Sequence, residues 1–463
     1  MTIFRKKSLA NVRSEAGKTK LNKHLGVMDL MLLGLGGIIG TGIFVLTGLA
    51  AAKYAGPAIT VSFALGAVAC IFTALAYAEL ASMLPAAGSG YTYAYVTLGE
   101  GVAAIVGWTI LMIFTYGAAT VAAGWSGYVV GILENSGIHI PIEFAKIPSE
   151  GGWINLPAVV ITLSLSLFLL RGMKGVTRLN GLLVFVKLSA IAIFIFAAFP
   201  HFKASNWQVF APHGFFGIAA GAGFVFMAYT GFDTLATAAE ECKNPNRDLP
   251  IGIIGSLVGS AILYVVVSGI LTGIVPYSDL NNSEPMASAL RANGILIGAK
   301  LVATGAIAGM TTVILTQLYG QSRILYVMAR DGMMPPLFLK INKRFATPYV
   351  GVLLTGLLVS LIAGFVPVAI LGQLSSMATL FVFASVSLAV MIMRYQAPNE
   401  KRTFKCPAVY AVASISVVLC LFLFSQLLIE NWAPYLASLM AGIAFYIVYG
   451  FRHSKLNRGT KLY

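Results

Sequence analysis

Lys187 stands in the run LLVFVKLSAIAIFIF (Leu182–Phe196), which carries no other charge. A lysine at the centre of a membrane-spanning helix costs about 3 kcal/mol on insertion scales, so an ammonium here needs a chemical reason. Low dielectric disfavours the charged form of an amine, and a buried lysine is therefore a group that can exchange a proton. Snorkelling to the membrane surface is the first competing reading. It fails on distance, because Lys187 lies nine residues beyond Arg178, or about 14 Å along a helix. A structural strut with no role in proton exchange is the second.

Two glycine-interrupted segments could form a binding site. The first apolar stretch contains LLGLGGIIGTGIFVLTG (Leu32–Gly48), with Gly34, Gly36, Gly37, Gly40, Gly42 and Gly48. The dense GTG at 40–42 suggests local unwinding, which lipid tolerates only beside protein or a cavity. A matching interruption occurs five stretches later in FMAYTGFDTLATAAEE (Phe226–Glu241), where Gly231 is mid-run and Asp233 follows. Half-helix N-termini offer N–H groups to a carboxylate, and the exposed carbonyls face a cation such as an ammonium. A site with both suits a zwitterion, and an amino acid is the natural candidate. Close helix packing through glycine is the competing explanation.

Positioning these groups requires a bundle in a bilayer. The 463 residues are 58% hydrophobic and 10% charged, against roughly 25% charged in soluble domains. An all-α integral membrane protein is expected. Apolar stretches near 27–49, 56–84, 93–132, 155–171, 178–199, 214–239, 251–275, 297–328, 349–366, 369–394, 408–428 and 433–451 make twelve spans. With a cytoplasmic N-terminus, 25 of the 31 Lys and Arg fall on the inside, five fall outside, and Lys187 is the remainder. This bias puts both termini in the cytoplasm. It also accounts for the net charge of +15 through membrane topology and lipid contact, without nucleic acid. The expected organisation is a basic tail (1–26) and a transporter domain (27–452) with repeats at about 27–199 and 214–394. Spans 11 and 12 follow at about 408–452, then a tail (453–463). The first 26 residues lack the apolar core of a cleavable signal, so the first span is expected to direct its own insertion. Cys70, Cys242, Cys406 and Cys420 show no paired spacing and the five histidines are scattered, so neither metal nor cofactor is expected.

The motifs GIIGTGIFVLTG (37–48), AGPAITVSF (55–63), YAELASMLPAAGSGYTYAY (77–95), AYTGFDTLATAAEECKNPNRDLPIGI (228–253), LTGIVPYSDL (271–280), GAIAGMTTV (305–313) and YGQSRILYVMARDGMMP (319–335) span most of the chain. Together they resemble the amino acid–polyamine–organocation transporters, in their cationic-amino-acid-transporter-like branch. The resemblance implies a five-plus-five inverted repeat with spans one and six interrupted, two appended helices, and secondary transport of amino acids across a bacterial cell membrane. It implies that the substrate carboxylate meets Thr41 and the backbone of Gly42 and Ile43. The substrate ammonium would meet carbonyls of Ile38, Met227 and Thr230. A span-five lysine in proton-coupled relatives resembles Lys187, its ammonium lying near Gly36 in place of a sodium ion. Gly40, Gly231 and Asp233 would order or gate the unwound segments. Other acids, Glu79, Glu100, Glu240, Glu241 and Asp248, are expected to cap helices or pair with Lys243 and Arg247 at the inner face.

Departures from the pattern bear on substrate. Bacterial members of this branch often read W-D-L-I-L-E-Y in span three, where this chain has WTILMIF (Trp108–Phe114), so Thr109 and Ile113 replace two acids. Span six has Phe226–Met227 for an aromatic pair and Thr230 for an aliphatic residue, and Gln317 replaces a pocket residue that is often Met. The expected function is a permease for neutral L-amino acids, small and branched, by proton symport with alternating access. An exchanger or a cationic amino acid transporter of the same fold is the alternative. A transporter-like sensor would be expected to carry a signalling domain. A membrane enzyme would need a nucleophile–base pair or metal ligands in the bundle, and neither is found. Oligomeric state is not legible.

Overall fold

The computed structural model describes residues 4–9, 12, 25–84, 88–171, 176–237, 242–342 and 347–457. Most of both predicted tails, together with Lys174, Glu240 and Glu241, lies outside the described residues. The protein is all-helical. Each apolar stretch read from the sequence falls, in most of its described part, on helix. Among the described residues, seven helical stretches are long and apolar enough to cross a membrane. Shorter apolar helices are Val27–Ile38, Leu156–Leu169, Gly214–Tyr229 and Tyr349–Phe365.

The boundaries differ from the sequence reading at three places. Span three was expected from residue 93, but Ser89–Thr97 forms a separate helix. Gly99, at φ +100°, turns the chain into the long helix Glu100–Glu134; only glycine adopts that φ without strain. Pro285–Ala292, between spans seven and eight, forms a short helix with one buried face. Spans 11 and 12 run on as Val409–Phe445, bent at Asn431 (φ −127°) just before Pro434. The bend is held from span ten (Val368–Gln396), where the Asn431 amide donates to Gln373 Oε1 at 2.6 Å.

Small residues decide which helices approach closely. Gly305 and Gly309 lie four apart on span eight (Leu296–Arg330) and face Ala190 and Lys187 of span five (Val176–Ala198). A Cβ on Gly309 would stand 3.0 Å from Lys187 Cβ. This small-xxx-small seam draws the lysine-bearing face of span five into the protein. Span three packs along span eight in the same way. Its Gly117 and Gly124 sit beneath Gln317 and Thr41, and Gly320 of span eight faces Phe114. Spans one and six are thereby held between spans three, eight and seven (Pro245–Ile274).

Candidate functional site

The first half of span one, Val27–Ile38, ends where Ile39 turns extended (φ −76°, ψ 106°). After Gly40 the chain resumes as a wide helical turn over Gly42–Leu46. The widened turn is pinned by Tyr128 of span three, whose hydroxyl donates to Phe44 O at 2.7 Å. Span six runs as Gly214–Phe224, tightens over Val225–Tyr229, turns extended at Thr230, and resumes at Phe232. Gly231 stands at φ +122° in that turn. Its position excludes any other residue twice, since a Cβ there would also lie 2.6 Å from Gly37 C. Gly42 crosses Ala228 with no room for a Cβ. The two interruptions therefore meet backbone to backbone.

Each interruption leaves polar groups without helical partners, and side chains take up several of them. Tyr264 of span seven donates its single hydroxyl proton between Ile38 O and Ala228 O, each at 2.9 Å. Ser376 of span ten accepts from Met227 N–H at 3.0 Å and donates to Phe224 O at 3.1 Å. Thr230 donates to Met227 O through its hydroxyl at 2.6 Å, and Gly231 N–H donates to an Asp233 oxygen at 3.0 Å. Of the carbonyls expected to face a substrate ammonium, Ile38 O holds one side-chain donor, whereas Met227 O holds two, the Thr230 hydroxyl and the Thr230 N–H at 3.1 Å. A carbonyl has two lone pairs, so Ile38 O is open to another donor and Met227 O is filled.

Lys187 is fully buried. Its ammonium donates to Gly36 O at 2.5 Å and to Ile39 O at 2.9 Å. These carbonyls belong to the buried, open C-terminal end of the half-helix, where the backbone presents partial negative charge. The lysine serves as the cap that the broken helix lacks.

Beside the same turn is a small cavity, lined from span one by Gly37, Ile38, Gly40, Thr41 and Gly42, and from span six by Met227, Ala228 and Thr230. Val121, Val313 and Gln317 close it from spans three and eight. It encloses about 10 Å³, room for about one water. Thr41 Oγ1 and Gln317 Oε1 are both buried without a hydrogen-bond partner. An unmet buried polar group costs about 1–3 kcal/mol, and two on one cavity mark a place that a polar guest would satisfy. Among the described residues, no acidic or basic side chain lines it.

The candidate residues therefore separate. Ile38, Gly40, Thr41, Gly42, Met227, Thr230 and Gln317 line the cavity. Gly36 and Lys187 form the neighbouring cation contact. Ile43 is buried but outside the lining, and Gly231 with Asp233 forms the turn beneath. Ile113 does not reach the cavity; span three contributes Val121, eight residues or about 12 Å further along. The replaced acids in WTILMIF thus do not set its charge. Sequence reasoning missed Tyr264, Val121, Val313 and Ser376. Each sits in an unbroken apolar helix, and only the glycines flanking Val121 gave a signal. Other acids are engaged elsewhere. Glu79 is buried and accepts from Arg394 at 2.7 Å, from Arg402 at 3.1 Å and from Cys406 N–H at 2.8 Å. Glu100 accepts from Tyr446 and Ser454. Asp248 caps its own helix through Asn244 N–H. All four cysteines are buried and unbridged.

The profile of the family described as "Amino acid permease" matches residues 25–451. The branched-chain amino acid permease BcaP of Bacillus subtilis (strain 168) is 41% identical over 463 residues, covering 99% of both chains. The methylthioribose transporter of the same organism is 40% identical over 459 residues, covering 99% of this chain and all of that protein. Cationic amino acid transporter 4 of Homo sapiens is 35% identical over 386 residues, 82% of this chain and 61% of that one.

Proposed function

The chain belongs to the amino acid permease family, and on that premise we propose that it is a proton-coupled symporter of neutral L-amino acids, small and branched aliphatic ones included. It is a multi-pass membrane transporter and not an enzyme. The proposed architecture is twelve spans, the first ten as two inverted repeats of five, with both termini in the cytoplasm. One observation carries the substrate reading: Thr41 Oγ1 and Gln317 Oε1 are unpartnered on an otherwise uncharged cavity where two broken helices meet.

In this mechanism the substrate carboxylate sits at the start of the second half of span one. The N–H groups of Thr41, Gly42 and Ile43 precede the first helical bond there, and Thr41 adds its hydroxyl. The ammonium meets the remaining lone pair of Ile38 O and the carbonyl of Thr230, and gains Met227 O once the Thr230 hydroxyl turns away from it. An aliphatic side chain then packs on Val121 and Val313, and Gln317 limits its size. An amino acid does not fit the cavity as it stands. Binding therefore requires the walls to part, and Met227, with its flexible unbranched side chain, is suited to move. Lys187 couples the proton. When protonated it caps Gly36 O and Ile39 O; when neutral it gives up much of that charge-assisted contact, and the half-helix is freer to swing. An exchanger would use the same site, and counterflow without net uptake would identify it.

The relatives' names point to different substrates, one to branched-chain amino acids and one to methylthioribose. The absence of charge around the cavity favours neutral guests, and the two helix ends favour a zwitterion over a sugar. The test is uptake of labelled leucine into sodium-free proteoliposomes with an inward proton gradient, challenged by excess alanine, arginine or methylthioribose. Alanine should compete and the other two should not. Displacement by arginine or methylthioribose as strong as that by unlabelled leucine overturns the substrate assignment. A strict sodium requirement overturns the coupling.

A further inference from the structure

We propose that the docked N-terminal segment builds one wall of a binding site for an anionic phospholipid of the cytoplasmic leaflet. Residues 5–8 run outside any helix, and exposure alternates along them: Arg5 and Lys7 are the more buried, while Phe4, Lys6 and Ser8 are exposed. The odd positions face the protein. Arg5 O accepts from Glu100 N–H at 2.8 Å, and its guanidinium donates to Asn457 Oδ1 at 2.6 Å. Lys7 N–H donates to Tyr95 O at 3.3 Å, and its buried ammonium pairs with buried Asp331 at 2.9 Å. Tyr91 donates to the second Asp331 oxygen at 3.0 Å. Phe4 passes so close to Gly99 that a Cβ there would stand 2.7 Å from Phe4 Cα. The segment is held by backbone and side chain together.

The even positions face outward. Phe4 and Lys6 join Leu98, Ile392, Tyr395 and Tyr410 around a mostly apolar groove of about 570 Å³. It lies at the end of span ten and the start of span 11. Arg394, Lys401, Arg402 and Lys405 cluster there in sequence, which places it on the cytoplasmic side. Phe4, Tyr395 and Tyr410 are all exposed, as rings at a membrane–water interface are. Lys6 is exposed and has no ion-pair partner among the described residues. An apolar trough at this depth is filled by acyl chain, and an unpaired ammonium at its rim selects a negative headgroup. The odd–even alternation explains why two adjacent lysines differ: Lys7 holds the segment down, and Lys6 meets the lipid. The inference does not depend on substrate or coupling.

The test measures phosphatidylglycerol and phosphatidylcholine retained by the purified full chain, by native mass spectrometry during stepwise delipidation. Wild-type protein should retain phosphatidylglycerol in preference. Lys6→Gln should lower that retention about fivefold and erase the preference. Lys340→Gln, at an exposed lysine elsewhere on the inner face, should change nothing. Ile392→Trp should fill the groove and lower retention of both lipids. Undiminished phosphatidylglycerol on Lys6→Gln, or an equal loss on Lys340→Gln, overturns the proposal. The first outcome would leave no headgroup role for Lys6, and the second would make the effect a general surface charge.

Discussion

Replacing Lys187 by methionine isolates the ammonium. Methionine keeps an unbranched stem against Gly309, so span five should still pack on span eight. What disappears is a pair of charge-assisted hydrogen bonds, to Gly36 O and Ile39 O. Each is worth about 1.5–3 kcal/mol, and their loss removes roughly 3–6 kcal/mol of restraint on the end of the half-helix. The two carbonyls are also left without a donor in a buried place, so the interruption should relax and not stay as it is. Proton linkage gives a sharper signature than rate. If one proton favours substrate binding, the dissociation constant rises with pH, up to about tenfold per unit where the linked group titrates. The assay is binding of leucine across a pH series, followed by accumulation in proteoliposomes with an imposed gradient. Lys187→Met should flatten the pH dependence and abolish concentrative uptake, while counterflow of leucine survives. Gradient-driven accumulation at the wild-type level in this variant would refute the coupling argument outright.

Three further outcomes are expected. Gly42→Leu should raise the dissociation constant for leucine more than tenfold, because even a Cβ at Gly42 overlaps Ala228; normal binding, measured by calorimetry, would make the interruption a packing feature alone. Tyr264→Phe keeps the ring but removes the proton shared by Ile38 O and Ala228 O. It should weaken binding roughly five- to tenfold, as loss of one buried hydrogen bond of about 1–1.5 kcal/mol predicts, and an unchanged constant would deny it a role. Burial, reinforced by the nearby Glu79, pushes the Cys406 thiol up to about 11. Little thiolate then exists at pH 7.5, and maleimide labelling of the folded protein should be negligible until denaturant is added.

What the sequence disclosed follows from the kind of signal each feature leaves. Span existence rests on hydrophobicity, which needs no partner, and the apolar stretches were legible almost to their ends. The separate helix Ser89–Thr97 was not, because its tyrosines, alanine and valine run on toward the next span with no proline between them; only Gly99, with its positive φ, divides them. The interruptions were legible because backbone-to-backbone contact forces glycine at Gly42 and Gly231. Thr41 and Gln317 were reached through the family resemblance, Thr41 by its place in the interruption and Gln317 by standing where the family often has Met. Tyr264 and Ser376 did not, although they hold the interruptions together. A tyrosine or serine inside a helix is ordinary, and its partner lies on another span. Ile113 shows the opposite error. A departure from a family pattern drew attention to a position that the fold places about two turns from the cavity.

Coupling between a proton and a substrate requires one element whose arrangement both can bias. Residues 36–42 are placed to be that element. On one side, Gly36 O and Ile39 O receive the Lys187 ammonium. On the other, Ile38, Thr41 and Gly42 border the cavity. The two contacts are interleaved in the chain, so neither can change without altering the dihedral angles of the other. Tyr264 joins this segment to the interruption in span six at Ala228 O, which carries any rearrangement into the second broken helix. Linkage then works in both directions. A guest whose carboxylate orders the start of the second half of span one would steady the lysine cap, and deprotonation of the cap would loosen that same end of the cavity. No relay of distant side chains is needed, because about two helical turns of backbone contain both sites.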